Sequence, residues 1–218
     1  MAVKRDNWRK SIRDSGQSML EAIVASGVII TAVGAALTLV HSSLAAAKES
    51  DNRLIATNLA REGVEVVRAI RDSNWLAGDD WDDGLEGANF DYSGILEFDA
   101  TAKSWAVDFS VSDVSDAGAM IYKQAAAGGA ATPGLHLQGI PQPSGTEETV
   151  FKRIVHLEAL CSTAVGSLPN FIAYERIVDG EQCLTEKIGI EIRSEVGWTG
   201  AGGNEHVVSA VERMFDWR

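Results

Sequence analysis

Glu21 is set apart by its position. It lies at the entrance of a run that carries no charged residue from Ala22 to Ala47. A carboxylate in a membrane segment costs on the order of 3 kcal/mol at the bilayer centre and less near the interface. A buried carboxylate is normally kept with a partner, and the obvious partner is a cation. Other residues capable of chemistry are scattered. Cys161 and Cys183 belong to no C-x-x-C pair, which makes zinc and redox readings weak. Downstream of a membrane-like segment they fit one disulfide in an oxidising compartment; two buried thiols in a cytosolic protein are the alternative. The stretch "GDDWDDGLEG" clusters carboxylates that suit a hard cation such as calcium. Its spacing departs from the D-x-[DN]-x-[DN]-G loop, and a solvated acidic loop also accounts for it. His41, His136, His156 and His206 stand apart, with no H-E-x-x-H, and His41 reads as a structural histidine facing a helix. No G-x-S-x-G, P-loop or G-x-G-x-x-G motif occurs. No catalytic residue, metal site or cofactor is therefore expected, and the enzyme reading lacks a site.

The charge distribution narrows the partners. The chain of 218 residues has a net charge of -12. Residues 1–16 hold five basic residues (Lys4, Arg5, Arg9, Lys10, Arg13) against two acidic ones, so the rest carries -15. A body that acidic is a poor match for nucleic acid, whose phosphates need clustered Lys and Arg. The apolar run is long enough to span a bilayer, since about 20 residues at about 1.5 Å of rise cover the hydrocarbon core. Basic residues close to the run lie only upstream, which predicts a cytoplasmic N-terminus and an exported body. A secretory signal peptide ending at Ala45-Ala46-Ala47 is a poorer fit, because signal h-regions are about 7–15 residues. A plain anchor would leave Glu21 without a role.

At "SGQSMLEAIVASGVIITAV" the chain resembles the cleavage and assembly signal of type IV prepilins, the class III signal peptide, and in particular PilV-like minor pilins. The matching features are a basic leader, Gly16 before the cut, a Glu at the fifth mature position and a long apolar helix. Gln17 stands where the commoner first mature residue is Phe. The resemblance implies peptidase cleavage between Gly16 and Gln17 and N-methylation of the new Gln17 amine. It also implies an assembly role for Glu21, whose carboxylate would pair with the N-terminal amine of a neighbouring subunit. Its implied partners are other pilin subunits, a prepilin peptidase and an inner-membrane assembly platform. In this family a C-terminal disulfide often closes a variable surface loop, whereas Cys161 and Cys183 lie well short of the C-terminus.

The elements that must position these residues follow from periodicity. Ile55, Leu59, Val66, Val67 and Ile70 recur at helical spacing, with Arg61, Glu62, Glu65 and Arg68 elsewhere, so one helix is predicted from about Ser18 to about Asp72. A break near Ser42-Ser43 would divide it into two. Small residues Ala25, Gly27, Gly34, Ala35 and Ala36 would let such helices pack closely between subunits. Residues 73–94 read as a loop, and beyond Ile95 the period shortens towards two. "SWAVDFSV", "KRIVHLEAL", "KIGIEIRSEV" and "HVVSAVERMF" read as strands, with a further strand and an Asp179-Gly180 turn in "PNFIAYERIVDGEQC". "QAAAGGAATPG" and "PQPSGTEET" read as loops. In "KIGIEIRSEV", Ile188, Ile190 and Ile192 share one face, and Glu191 and Arg193 the other.

The predicted fold class is α+β, a long N-terminal, transmembrane helix packed on a mostly antiparallel C-terminal sheet. Residues 1–16 would form a leader, 17–73 the helix and 74–218 an extracytoplasmic β-rich domain. The expected function is that of a structural minor subunit of a type IV pilus. Such a subunit is a single-pass cytoplasmic membrane protein before assembly and part of an extracellular pilus afterwards. Two alternatives stay open: a pseudopilin of a type II secretion or DNA-uptake machine, and an extracytoplasmic binding module tethered by an uncleaved anchor.

Overall fold

The computed structural model describes residues 6–87, 92–99, 101–125, 134–162, 174–177, 183–184, 186–200 and 202–216, with the side chains of 6–17 and 174–177 left aside. Helix α1 (Asp6–Ala77) is followed by strands β1 (Ser93–Asp99), β2 (Ser104–Asp108), β3 (Met120–Gln124) and β4 (His136–Leu137). Then come β5 (Thr146–Ser162), β6 (Tyr174–Ile177), β7 (Lys187–Thr199) and β8 (Glu205–Phe215). Among the described residues every strand pairing is antiparallel. The class is α+β. The chain divides into two compact units, Met1–Ser50 and Asp51–Arg218.

In the second unit β5 is the hub. One edge pairs with β7 along Phe151–Cys161, and the other is shared by β3, β1 and β6. Strand β1 meets β5 only at Ser93 and Gly94, then pairs with β2 from Ile95 onward. Gly94 permits that exchange of partners: a Cβ there would lie 2.7 Å from the Asp108 carbonyl oxygen. The Ile190/Ile192 face packs with Val155, Leu157 and Met214 against Val64, Val66, Val67 and Ile70 of α1. Each alternate residue removes apolar area from water, at about 25 cal/mol per Å².

The expected single helix runs unbroken through Ser42-Ser43: Ser42 Oγ donates to the Leu39 carbonyl at 2.9 Å, so the hydroxyl is satisfied within the helix. Other expectations need correction. Ile55 is 38% exposed, while Ala56 and Ala60 are fully buried. The face shifts by one residue because small side chains let the helix sit close to the sheet. Strand β5 begins at Thr146, inside the stretch read as a loop, and β1 starts two residues before Ile95. Strands β3 and β4 escape a periodicity reading because they are five and two residues long. The Asp179-Gly180 turn lies outside the described residues.

Glu191 does not face water as the alternation suggests; it is 6% exposed. It takes a hydrogen bond from Arg213 Nε at 2.6 Å. The acidic stretch after α1 is a loop only partly solvated, with Asp79, Asp80 and Asp83 exposed. Trp81 and Leu85 enter the core, and Asn74 Nδ2 donates to the Trp81 and Asp83 carbonyls at 3.3 and 2.8 Å. Asp82 and Glu86 grip Lys187 Nζ at 2.8 and 2.9 Å, so two of the carboxylates offered for calcium already serve a cation of β7.

Candidate functional site

The described residues of the first unit are all helical, and most of their exposed side chains belong to the apolar run. From Ser18 to Ser50 every residue is exposed except Glu49, which is half-buried. Exposed large side chains include Leu20, Ile23, Val28, Ile30, Leu37 and Leu44. An α-helix satisfies its backbone internally, so it can carry such a surface into lipid. The hydroxyls along it are also hidden from an apolar surrounding. Ser26 donates to the Ile23 carbonyl at 2.8 Å, Thr31 to Val28 at 2.9 Å and Thr38 to Ala35 at 2.8 Å. This is one segment long and apolar enough to cross a membrane.

The residues singled out in the sequence fall as follows. Gly16 and Gln17 lie within α1, and their side chains are outside the described set. Glu21 is exposed at the head of the apolar run, one helical turn past Gln17. His41 is exposed on the same helix. Nothing lies within 4 Å of a Cβ placed on Gly27 or Gly34, which leaves both open to close approach by another helix. Cys161 and Cys183 form a disulfide with Cα atoms 5.6 Å apart. It joins the end of β5 to the chain entering β7, packed on Tyr92 and Ala159.

In the second unit, α1 is held to the sheet by polar contacts that spacing does not reveal. Arg153 of β5 is 2% exposed on the helix side. Its Nε donates to Gln138 Oε1 at 2.8 Å and an Nη to the Leu59 carbonyl at 3.2 Å, with Glu62 at 3.8 Å. Burial pulls its pKa down, opposed by the Glu62 charge. Gln138 in turn donates to the Ala119 and Arg153 carbonyls at 3.0 and 2.9 Å. Arg68 bridges Glu65 on α1 and Glu212 on β8, and those two hydrogen bonds raise its pKa. A contact of two sequence-distant polar groups has no local signature; the one available hint is Arg153 in register with Val155 and Leu157 on a buried face.

On the opposite face of the sheet, Ser93 Oγ lies 2.9 Å from His156 Nδ1, and His156 Nε2 lies 3.9 Å from Glu195 Oε2. Ser, His and Glu in that order suit nucleophilic catalysis by residue type. Ser93 is 1% exposed, which closes it to a substrate. Among the described residues no group of three His, Cys, Asp or Glu side chains is arranged to hold a metal ion. Comparison with known proteins found no family model, no characterised protein and no solved structure that matches this chain.

Proposed function

We propose that the chain is a structural subunit of a type IV pilus or related filament, a minor pilin made as a prepilin. In this reading the leader 1–16 is removed between Gly16 and Gln17, and the apolar helix then holds the subunit in the membrane until assembly. The new Gln17 amine, methylated or not, and the Glu21 carboxylate of a neighbour form a charge pair within the bundle of helices. Two opposite charges in an apolar surrounding attract strongly, and either alone is costly. The other subunits, a prepilin peptidase and a membrane assembly platform are the partners. The subunit's contribution is mechanical and positional; Glu21 is an assembly residue.

The observation that carries this reading is the union of two features in one helix. Its first part presents an uncharged apolar surface behind a single carboxylate, and its later part packs on an antiparallel sheet. Small residues along the first part favour helix–helix contact in an apolar medium. Mass analysis of the N-terminus, after expression of the full chain with a prepilin peptidase, tests it. A start at Gln17, lost in Gly16→Val, is the expected result. A start at Lys48 would identify a secretory signal, and an uncut N-terminus a tether; either overturns the reading.

A further inference from the structure

Among the described residues, β8 pairs only with β7. The flanking hydrogen bonds establish which of its backbone groups face outward. Gly200 N–H donates to the Asn204 carbonyl and Asp216 N–H to the Ile188 carbonyl, each at 2.9 Å. Even-numbered residues of β8 therefore turn towards β7. By the alternation of an antiparallel ladder, the N–H and C=O groups of Glu205, Val207, Ser209, Val211 and Arg213 point away from the sheet. The side chains of these five residues are exposed as well, and Val207 and Val211 are each 56% exposed. Edge strands are commonly blunted by charge, proline or a bulge. From Val207 to Val211 there is no charge and no proline, and the β7–β8 register runs without a shift.

The segment Glu205-His206-Val207-Val208-Ser209-Ala210-Val211-Glu212-Arg213 is its own complement about Ser209. A second copy turned about a two-fold axis through Ser209 sets Glu205 opposite Arg213 and His206 opposite Glu212. It also sets Val207 opposite Val211 and Val208 opposite Ala210. Centring the pair on Val211 instead would set Ser209 against Arg213 and Val207 against Phe215, and the Glu205–Arg213 charge pair would be lost together with the His206–Glu212 contact. Arg213 donates to Glu191 through Nε, and its side chain is 51% exposed, within reach of a neighbour's Glu205. Glu212, shared with Arg68, is 40% exposed.

We infer that β8 is a self-docking strand: its outer edge pairs antiparallel with the same edge of a second copy, centred on Ser209, joining two sheets into one. The contact is isologous, so every favourable pair occurs twice. The two-fold axis is normal to the sheet and sets the Asp51–Ala77 stretches of the two copies in opposite directions. This pairing does not depend on how the N-terminus is processed.

The test uses the full chain in detergent micelles, where copies meet in any orientation. Ser209→Cys, the only free thiol beside the Cys161–Cys183 disulfide, is treated with a short bis-maleimide. Covalent dimer is expected in this background. Val207→Lys with Val211→Lys places like charges across the axis and should reduce the dimer at least tenfold. Val207→Glu with Val211→Lys places opposite charges there and should restore it. Both valines are exposed, and an unchanged thermal transition identifies variants that keep their fold. Absence of dimer from Ser209→Cys overturns the inference, as does a yield that ignores both double variants, including the case in which a different partner occupies the edge.

Discussion

His136, at the start of β4, is half buried, and loss of hydration lowers its imidazole pKa below the ordinary 6.5. The Glu62 charge opposes that shift, and Lys123 and Arg153 add to it. A base depressed in the folded state binds fewer protons there than in the unfolded chain, so stability rises with pH. The contribution is complete above about pH 6.5 and is lost as pH falls towards the folded value. Thermal unfolding from pH 7.5 to 5 should therefore show a fall in Tm that is shallower in His136→Gln. An equal slope in both proteins would remove His136 as the cause. At this scale the sequence is hardest to read. The alternation of "KRIVHLEAL" places Arg153 on the buried face, but its acceptor Gln138 lies 15 residues away and the Leu59 carbonyl 94 away. No pattern of types or spacing announces such a pairing.

Among the elements, the contact of α1 with β7 depends on one absent side chain. A Cβ on Gly63 would lie 2.3 Å from Ser194 Oγ and 3.0 Å from its Cβ. Gly63→Ala gains up to about 1 kcal/mol of helix propensity. Overpacking of a tight contact costs about 1–3 kcal/mol. The net effect should be a lower Tm, with partial recovery on adding Ser194→Ala, because the nearest atom is then gone. A rise in Tm in the single variant would show that the helix moves freely away. The disulfide belongs to the same scale. Its sequence separation is 22, and the chain-entropy estimate for such a loop is about 3 kcal/mol. Cys161→Ser with Cys183→Ser should therefore lower thermal stability, and wild type should fall to the same level after reduction. The alternation of Ile188, Ile190 and Ile192 was legible because one face of β7 packs on a helix, although Ile188 itself is only half buried. "GDDWDDGLEG" was legible as an acidic loop, but its anchoring by Trp81 and Leu85 was not, because the acids outnumber those two residues.

For the whole molecule, the proposed assembly turns on Glu21. If Glu21 meets the Gln17 amine of a neighbour, Glu21→Gln leaves that amine unpaired in an apolar bundle. Removing one partner of a buried pair typically costs about 3–5 kcal/mol, more than the gain in membrane insertion. The variant should insert and be cleaved, yet incorporate into filaments at least tenfold less than wild type. Immunoblots of membrane and sheared-filament fractions measure this, and equal incorporation would reduce Glu21 to a bystander. The α+β class and the apolar helix could be read from the sequence because each rests on long periodic stretches. The order of strands could not, since it depends on contacts far apart in the chain.

The hub position of β5 has a consequence for synthesis. Its neighbours β1 and β3 precede it, while β6 and β7 follow. A chain emerging from its N-terminal end cannot seat β1 or β3 until Thr146–Ser162 has appeared. Nor can it cover Val155 and Leu157 fully until β7 arrives. Throughout that interval the apolar face of α1 waits without a cover, including Val67, which is fully buried at the end. The sheet can therefore close over α1 only after both β5 and β7 have been made.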